Sequence, residues 1–323
     1  MELDLLDRKL IYFLDRDARQ GIASVAKRLH IGRNVALYRL NRLMERGIIK
    51  GSFAEINNTI LGYHSFRIFL KLGKTTESKL SNLFNFVEKN KNILWLSRVL
   101  GKWDLDMVFM TKSVGEFEKF RRELFLKFNE LIERFEIALL TKICHYPKDY
   151  LFGDIRKNMT PSVLDIEKDN ACQIDDADEE LLSILSKDAS INIVDIAQRM
   201  KLSINTIKKK IKNLEEKEII LGYRLFLDIE KLGYQYYKLH LSLQNYNEKD
   251  IAEISDWLAS RSYVVYTDHY INGEDFEIEL HLKNELEYIR FWMELNKEFG
   301  KIIKDHFYIT FYDTRIFKYI PTK

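Results

Sequence analysis

Two hydrophobic periods alternate along this chain. Residues 3–16 place Leu3, Leu6, Leu10, Phe13 and Leu14 near a 3.6-residue spacing, which predicts a helix with one buried face. A second short helix fits Ile22 to Leu29, where Ala23 and Ala26 are small enough for close helix packing. His30-Ile31-Gly32 marks a tight turn. A third helix is predicted from Arg33 to Arg46, with Val35, Leu40 and Leu43 buried and Gly47 as its stop. Ile48 to Phe53 is apolar and β-leaning, and reads as the strand of a wing. Three short helices with a glycine-containing turn before the third form a helix-turn-helix pattern, and the strand makes it a winged one.

After this head the period falls to two. Phe66, Ile68, Leu70 and Leu72 alternate with polar or mixed residues, as in a strand with one core face. Residues 77–90 form an amphipathic helix on Leu80, Leu83, Phe84 and Val87. Strands at 93–100 and 105–110 follow, joined by Gly101-Lys102-Trp103-Asp104. A helix at 114–128 and a strand at 135–146 complete a β-α-β-β-α-β unit, the ferredoxin-like arrangement. Its open sheet face includes Phe69, Leu94, Leu96, Leu100, Val108 and Met110, with Val264, Tyr266 and Tyr270 in the second half of the chain. A face this apolar needs a partner surface. The expectation is self-association through these sheet faces, as a pseudo-dimer within the chain or as a homo-oligomer.

The whole pattern occurs twice. At one constant offset of 171, Asp7 pairs with Asp178, Leu43 with Leu214, Gly51 with Gly222, and Leu61-Gly62-Tyr63 with Leu232-Gly233-Tyr234, without a gap. Shared helical spacing alone does not reproduce the glycine and the LGY triplet, so the chain is a tandem duplication. The fold class expected is α+β, two copies of a winged helix-turn-helix followed by a ferredoxin-like βαββαβ sandwich. The expected boundaries are a first winged helix-turn-helix domain at 1–58 and a first βαββαβ domain at 59–148. A linker covers 149–173, a second head 174–229 and a second βαββαβ domain 230–323. Pro147, Gly153 and Pro161 suit a linker, while Tyr150, Leu151 and Phe152 predict that its start docks.

Composition narrows the classes further. With 51 basic against 49 acidic residues, a net charge of +2 says little, and any nucleic-acid signal must lie in where the charges sit. No apolar stretch approaches the ~18–20 residues of a membrane span, no secretory leader is visible, and no membrane partner is expected. The expected location is cytoplasmic. Cys144 and Cys172 make no zinc-site spacing and read as reduced thiols. No metal, catalytic motif or resident cofactor is expected.

Charges concentrate on the third helix of each head. Copy one presents Arg33, Asn34, Tyr38, Arg39 and Arg42, and copy two presents Asn205, Thr206, Lys208, Lys209 and Lys212, with Lys210 beside them. Arginine and asparagine can make bidentate contacts to base edges, and both cations hold phosphates. A solvated charged face would look the same on one helix, but its recurrence on the same helix of both copies favours double-stranded DNA as partner. The all-lysine cluster suits phosphate holding better than base reading.

Together, LDLLDRKLIYFLDRDAR, a third helix ending RLMERGII, the LGY triplet and Gly-x-aromatic-Asp between the middle strands resemble the Lrp/AsnC transcription regulators. That resemblance implies DNA binding, dimers through the sheet faces and a small effector such as an amino acid. The effector would sit near Gly101, Trp103 and Asp104 and near Gly273 and Asp275. Copy two departs from the motif, with Glu274 in place of the aromatic. Two other readings compete. Siroheme decarboxylases share the module, and His269, Tyr270 and Arg98 are the residues that would serve one here. A protein-interaction head is the other, suggested by Glu215, Glu216 and Glu218.

Overall fold

The computed structural model describes residues 3–153, 161–168 and 172–321; the remaining parts of the expected linker lie outside these. The first head comprises α1 (Leu5–Arg16), α2 (Ile22–Arg28), α3 (Arg33–Glu45) and β1 (Ile49–Ile56). Then come β2 (His64–Leu72), α4 (Glu77–Glu88), β3 (Ile93–Gly101), β4 (Leu105–Thr111), α5 (Val114–Phe128) and β5 (Ile132–His145). A short strand in the connection, β6 (Ser162–Asp165), precedes the second head: α6 (Asp176–Leu185), α7 (Ile193–Met200), α8 (Ile204–Glu216) and β7 (Ile220–Leu227). The chain closes with β8 (Gln235–Leu243), α9 (Glu248–Ala259), β9 (Val264–Ile271), β10 (Phe276–Leu282), α10 (Glu285–Phe299) and β11 (Ile303–Phe317).

Local chemistry sets the helix ends. Asp4 accepts the Asp7 N–H at 2.8 Å and starts α1, and Asp175 does the same for α6 in a capping box. Between the second and third helices, His30 and Lys201 both take φ of 54°, the left-handed geometry that turns the chain sharply. Gly62 and Gly233 also have positive φ, which explains why the LGY triplet repeats.

The two heads form one body. β1 and β7 pair antiparallel with each other, so the strand expected as each head's wing joins its counterpart from the other copy. The exchange is reciprocal: Ala18 donates its N–H to Tyr223 and Ala189 to Ser52, while Asn57 donates to Ile219 and Asp228 to Ile48. Each pair maps onto the other by the repeat offset, which amounts to a pseudo-two-fold axis. Leu10, Leu14 and Leu43 share one apolar core with Leu181, Leu185 and Leu214. Tyr150 and Leu151 complete that core, as the docking expectation required, whereas Phe152 stays exposed and stacks on Tyr12.

The second correction concerns the sheets. Each half has the β-α-β-β-α-β order, but the two sheets do not stand as separate sandwiches or pack face to face. They join edge to edge, β3 with β11 and β5 with β9, and β2–β5 pairing closes the ring into an eight-stranded barrel. β6 adds to β5 outside that ring. The face expected to be open therefore lines a lumen. Leu96 and Val264 instead pack under the helices, and Leu100 is exposed. Leu94, Val108, Met110, Tyr266 and Tyr270 do line it, beside the charged Arg67 and Glu279, and Phe69 packs against His240.

Candidate functional site: recognition helices and barrel lumen

Ion pairs tie each head's third helix to the start of its first. On α3, Arg39 reaches back to Asp4 at 2.7 Å and Asp7 at 2.8 Å, and Arg42 reaches Asp7 at 2.6 Å. Asp7 is fully buried, so this cluster locks α3 against the start of α1. In the second head Lys210 repeats it on Asp175 at 2.8 Å and Asp178 at 2.9 Å. The Lys210 hydrogen bond holds the Asp175 carboxyl below its ordinary range. Arg39 and Arg42 were expected as free DNA contacts, but they are engaged here as struts. The sequence offered a signal for this: Asp4, Asp7 and the cation at position 39 all recur at the same offset as acids and a cation.

Arg33, Asn34 and Tyr38 remain exposed on α3, as do Asn205, Lys208, Lys209 and Lys212 on α8. Lys212 makes a surface ion pair with Glu216 at 3.3 Å, and Thr206 is half-buried in the cap of α8, where its hydroxyl lies 2.8 Å from Ser203 Oγ. Val35, expected in the core, is exposed, and so are Leu37 and Tyr38, the last at 65%. The first head thus presents a mixed apolar and polar surface, suited to thymine methyls and base edges. The second presents lysines, suited to phosphate.

The strand-joining loops hold the barrel seams. Asp104 Oδ2 accepts the Leu72 N–H at 2.7 Å, and Asp275 Oδ2 accepts the equivalent Leu243 N–H at 2.7 Å. Trp103 is buried against Phe69 and Ile309. A side chain at Gly101 would strike the Tyr308 carbonyl at 2.6 Å, and one at Gly273 would crowd the Ala138 methyl at 3.1 Å. Both glycines allow one half's loop to approach the other half's strand closely. Glu274 replaces the aromatic of copy one and turns toward Lys102 across the seam at 3.5 Å.

What sequence reading missed lies inside the barrel. Arg67 forms a two-pronged pair with Asp106, one prong at 2.6 Å. Lys238, fully buried, contacts Asp268 at 2.9 Å, Glu277 at 2.5 Å and Glu279 at 3.0 Å. Tyr236 donates to Glu279, and Tyr270 to Asp268 at 3.2 Å. Burial pushes the Asp268 carboxyl up to about 6 against the pull of Lys238. Although burial opposes its charge, the facing carboxylates hold the Lys238 ammonium well above its usual range. Alternating FEIELHL and YYKLHLSL carried the signal, since a charged residue at every second position puts all charges on one face. Reading that face as solvent-exposed would have been the ordinary inference. Arg98 and His269 lie on opposite seams, Arg98 over Tyr312 and His269 against Phe276, and Tyr270 alone enters the lumen cluster.

At the head-facing end of the barrel, Glu55 of β1 joins the two bodies. Its carboxylate meets His145 Nδ1 at 2.8 Å and Arg224 Nε at 3.1 Å. Burial alone would raise its pKa, but His145 and Arg224 hold it down to about 2. Burial lowers the His145 imidazole, outweighing Glu55. Among the described residues no cluster fit for a metal ion is found, and no helix is long and apolar enough to cross a membrane.

Comparison with known proteins follows the duplication. The winged helix-turn-helix DNA-binding family matches residues 3–50 and again 174–220. An uncharacterised HTH-type transcriptional regulator of Pyrococcus furiosus is 38% identical over 121 residues, 37% of this chain and 80% of that protein. The HTH-type transcriptional regulator LrpA of Pyrococcus horikoshii is 44% identical over 61 residues, 19% of this chain and 43% of that protein. Over the whole length, a crystal structure of the siroheme decarboxylase NirDL has the same fold, with TM-score 0.64 at 13% identity, covering 98% of this chain and 95% of that one. Sequence similarity of this extent to single-module regulators, found in a chain that repeats their head, places the protein in the Lrp/AsnC-type helix-turn-helix transcription regulators, as a tandem duplication of their module in one polypeptide.

Proposed function

We propose that the paired heads bind double-stranded DNA at an asymmetric site, α3 reading bases in one half-site and α8 holding the backbone in the other. One observation carries this reading: two third helices, fixed in place by equivalent ion-pair struts, expose Arg33, Asn34 and Tyr38 on one side and Asn205, Lys208 and Lys209 on the other. The pseudo-two-fold relation of the heads suits half-sites one helical turn, or a multiple, apart. Because both heads share one core, each presents the other at high effective concentration. The internal barrel then serves as the chain's own pseudo-dimer, with the paired heads, 1–58 and 174–229, as its DNA-binding part and 59–148 with 230–323 as its barrel part.

The test is fluorescence anisotropy on duplexes from upstream of the protein's own gene, across a salt series. A log–log slope of about −4 or steeper is expected for several neutralised phosphates. Absence of binding by folded protein at low salt would sink the reading. The decarboxylase likeness is one of fold; of the residues offered for that reading, Arg98 and His269 lie on opposite seams and Tyr270 alone faces the lumen.

A further inference from the structure

Two quasi-equivalent cavities flank the pseudo-two-fold axis where the heads meet the barrel. One, of about 160 Å³, is lined by Asn58, Trp95, Val108, His145, Tyr266 and Tyr319 among others. The other, of about 600 Å³, contains the counterparts of several of these positions, including Phe226 for Glu55 and Ile229 for Asn58. Their chemistry differs. Three residues that line the smaller cavity each carry a buried polar atom with no hydrogen-bond partner among the described residues: Asn58 Oδ1, Trp95 Nε1 and His145 Nε2, Trp95 lying between the two cavities. The equivalent positions in copy two are Ile229, Tyr266 and Ile316.

The roles of these atoms are fixed by what their neighbours do. Asn58 Nδ2 donates to the Tyr319 carbonyl at 2.8 Å, which leaves its oxygen as a bare acceptor. His145 Nδ1 faces the Glu55 carboxylate and must carry the proton, so neutral Nε2 is a second acceptor. Trp95 Nε1–H is a donor. Asn58 and His145 are 4% and 1% exposed, so an unmet hydrogen bond there is costly. Charges give no further purchase: Glu55, Arg67 and Glu279 all have ionic partners, which leaves Lys318 alone among the charged lining groups. A zwitterionic amino acid would find no anion for its ammonium.

We propose that this cavity binds a small, neutral, planar ring carrying an N–H beside a C=O, a carboxamide or lactam of the nicotinamide or pyrimidine type. The C=O accepts from Trp95, and the N–H groups donate to Asn58 and His145. The ring lies among Tyr266, Tyr319 and Phe317. A cavity of about 150 Å³ is known to hold benzene, so one ring fits and a fused or tetrapyrrole system does not. Asn58 and Glu55 belong to the chain leaving the first head, whereas Trp95 and His145 belong to the barrel, so an occupant ties head to barrel.

Calorimetric titration of the full chain, without DNA, tests this independently of the DNA-binding reading. Nicotinamide or uracil is expected to saturate at one site per chain, and benzene, which has no hydrogen bonds to offer, to bind at least about tenfold more weakly. Trp95→Phe keeps the ring and deletes the N–H, and is expected to weaken the better probe by about tenfold, the factor of one lost hydrogen bond near 1.4 kcal/mol. Val108→Phe, which fills the cavity, abolishes binding. No saturation by either probe overturns the proposal, as does affinity equal to that of benzene or binding unchanged in Val108→Phe.

Discussion

The two copies agree where they make the fold and differ where they face inward or outward for a purpose. Loop aspartates, positive-φ turn residues and head struts recur at one offset. In the lumen, by contrast, copy one has Phe69, Ser97, Val108 and Met110 where copy two has His240, Asp268, Glu279 and His281. A symmetric dimer of separate chains makes every substitution twice, so an added buried carboxylate meets its own image. A fused chain is free of that constraint. Copy two carries three of the four carboxylates around Lys238 and Arg67, and copy one supplies Arg67 and Asp106.

Breaking the lumen should have the largest effect. Lys238→Met leaves Asp268, Glu277 and Glu279 without their shared cation. A loss of about 3–5 kcal/mol is expected by denaturant unfolding, as for other broken buried pairs. The equivalent Arg67→Met strands one close carboxylate, Asp106, and should cost less; equal losses would remove the asymmetry argued above.

Glu55 comes next. Its folded pKa of about 2 lies below the ordinary 4.5, so its contribution is fully present above pH 4.5 and is lost as pH falls toward 2. The gap corresponds to stabilisation on the order of 3 kcal/mol. Glu55→Gln should lower stability at neutral pH and flatten the acid limb between those values. An unchanged limb in urea titrations at several pH values would show that the head–barrel tie lies elsewhere.

The heads should separate by kind of loss. Lys208→Ala with Lys209→Ala is expected to weaken all duplexes alike and reduce the salt slope by about two. Asn34→Ala with Tyr38→Ala should cost about 1–3 kcal/mol on the preferred duplex only. Matching anisotropy losses on preferred and scrambled duplexes for both variants would erase the division of labour.

The smallest effect concerns capping. Asn192 and Ser203 cap α7 and α8 with side chains, whereas Gly21 and Gly32 at the equivalent places cannot. Gly32 has φ of −68° and open space around a Cβ, so Gly32→Ser should stabilise the protein by about 0.5–1 kcal/mol, read as a rise in Tm.

Helix positions, turn residues and the duplication were legible because they rest on contacts within a few residues, and the offset between copies needed no structure at all. Leu43 and Leu214 are buried as the spacing predicted; Val35 is not, because α3 turns that face away from the shared core. Exposure of Arg33 and Asn34 was legible, but the capture of Arg39 and Arg42 by Asp7 joins residues more than thirty positions apart. The charges of β8 and β10 were visible as an alternating pattern, and period alone does not say whether that face meets water or a second sheet.

By itself the sequence determined two copies of three helices and a β-α-β-β-α-β unit, since period, caps and glycines act locally. Only the tertiary structure decided that the wing strands pair with each other and that two sheets close into one barrel. Strand edges carry no mark of their partner, and the same backbone groups satisfy a partner from either copy. Closure then decided the chemistry, because it turned an outward row of charges into a buried network that must neutralise itself.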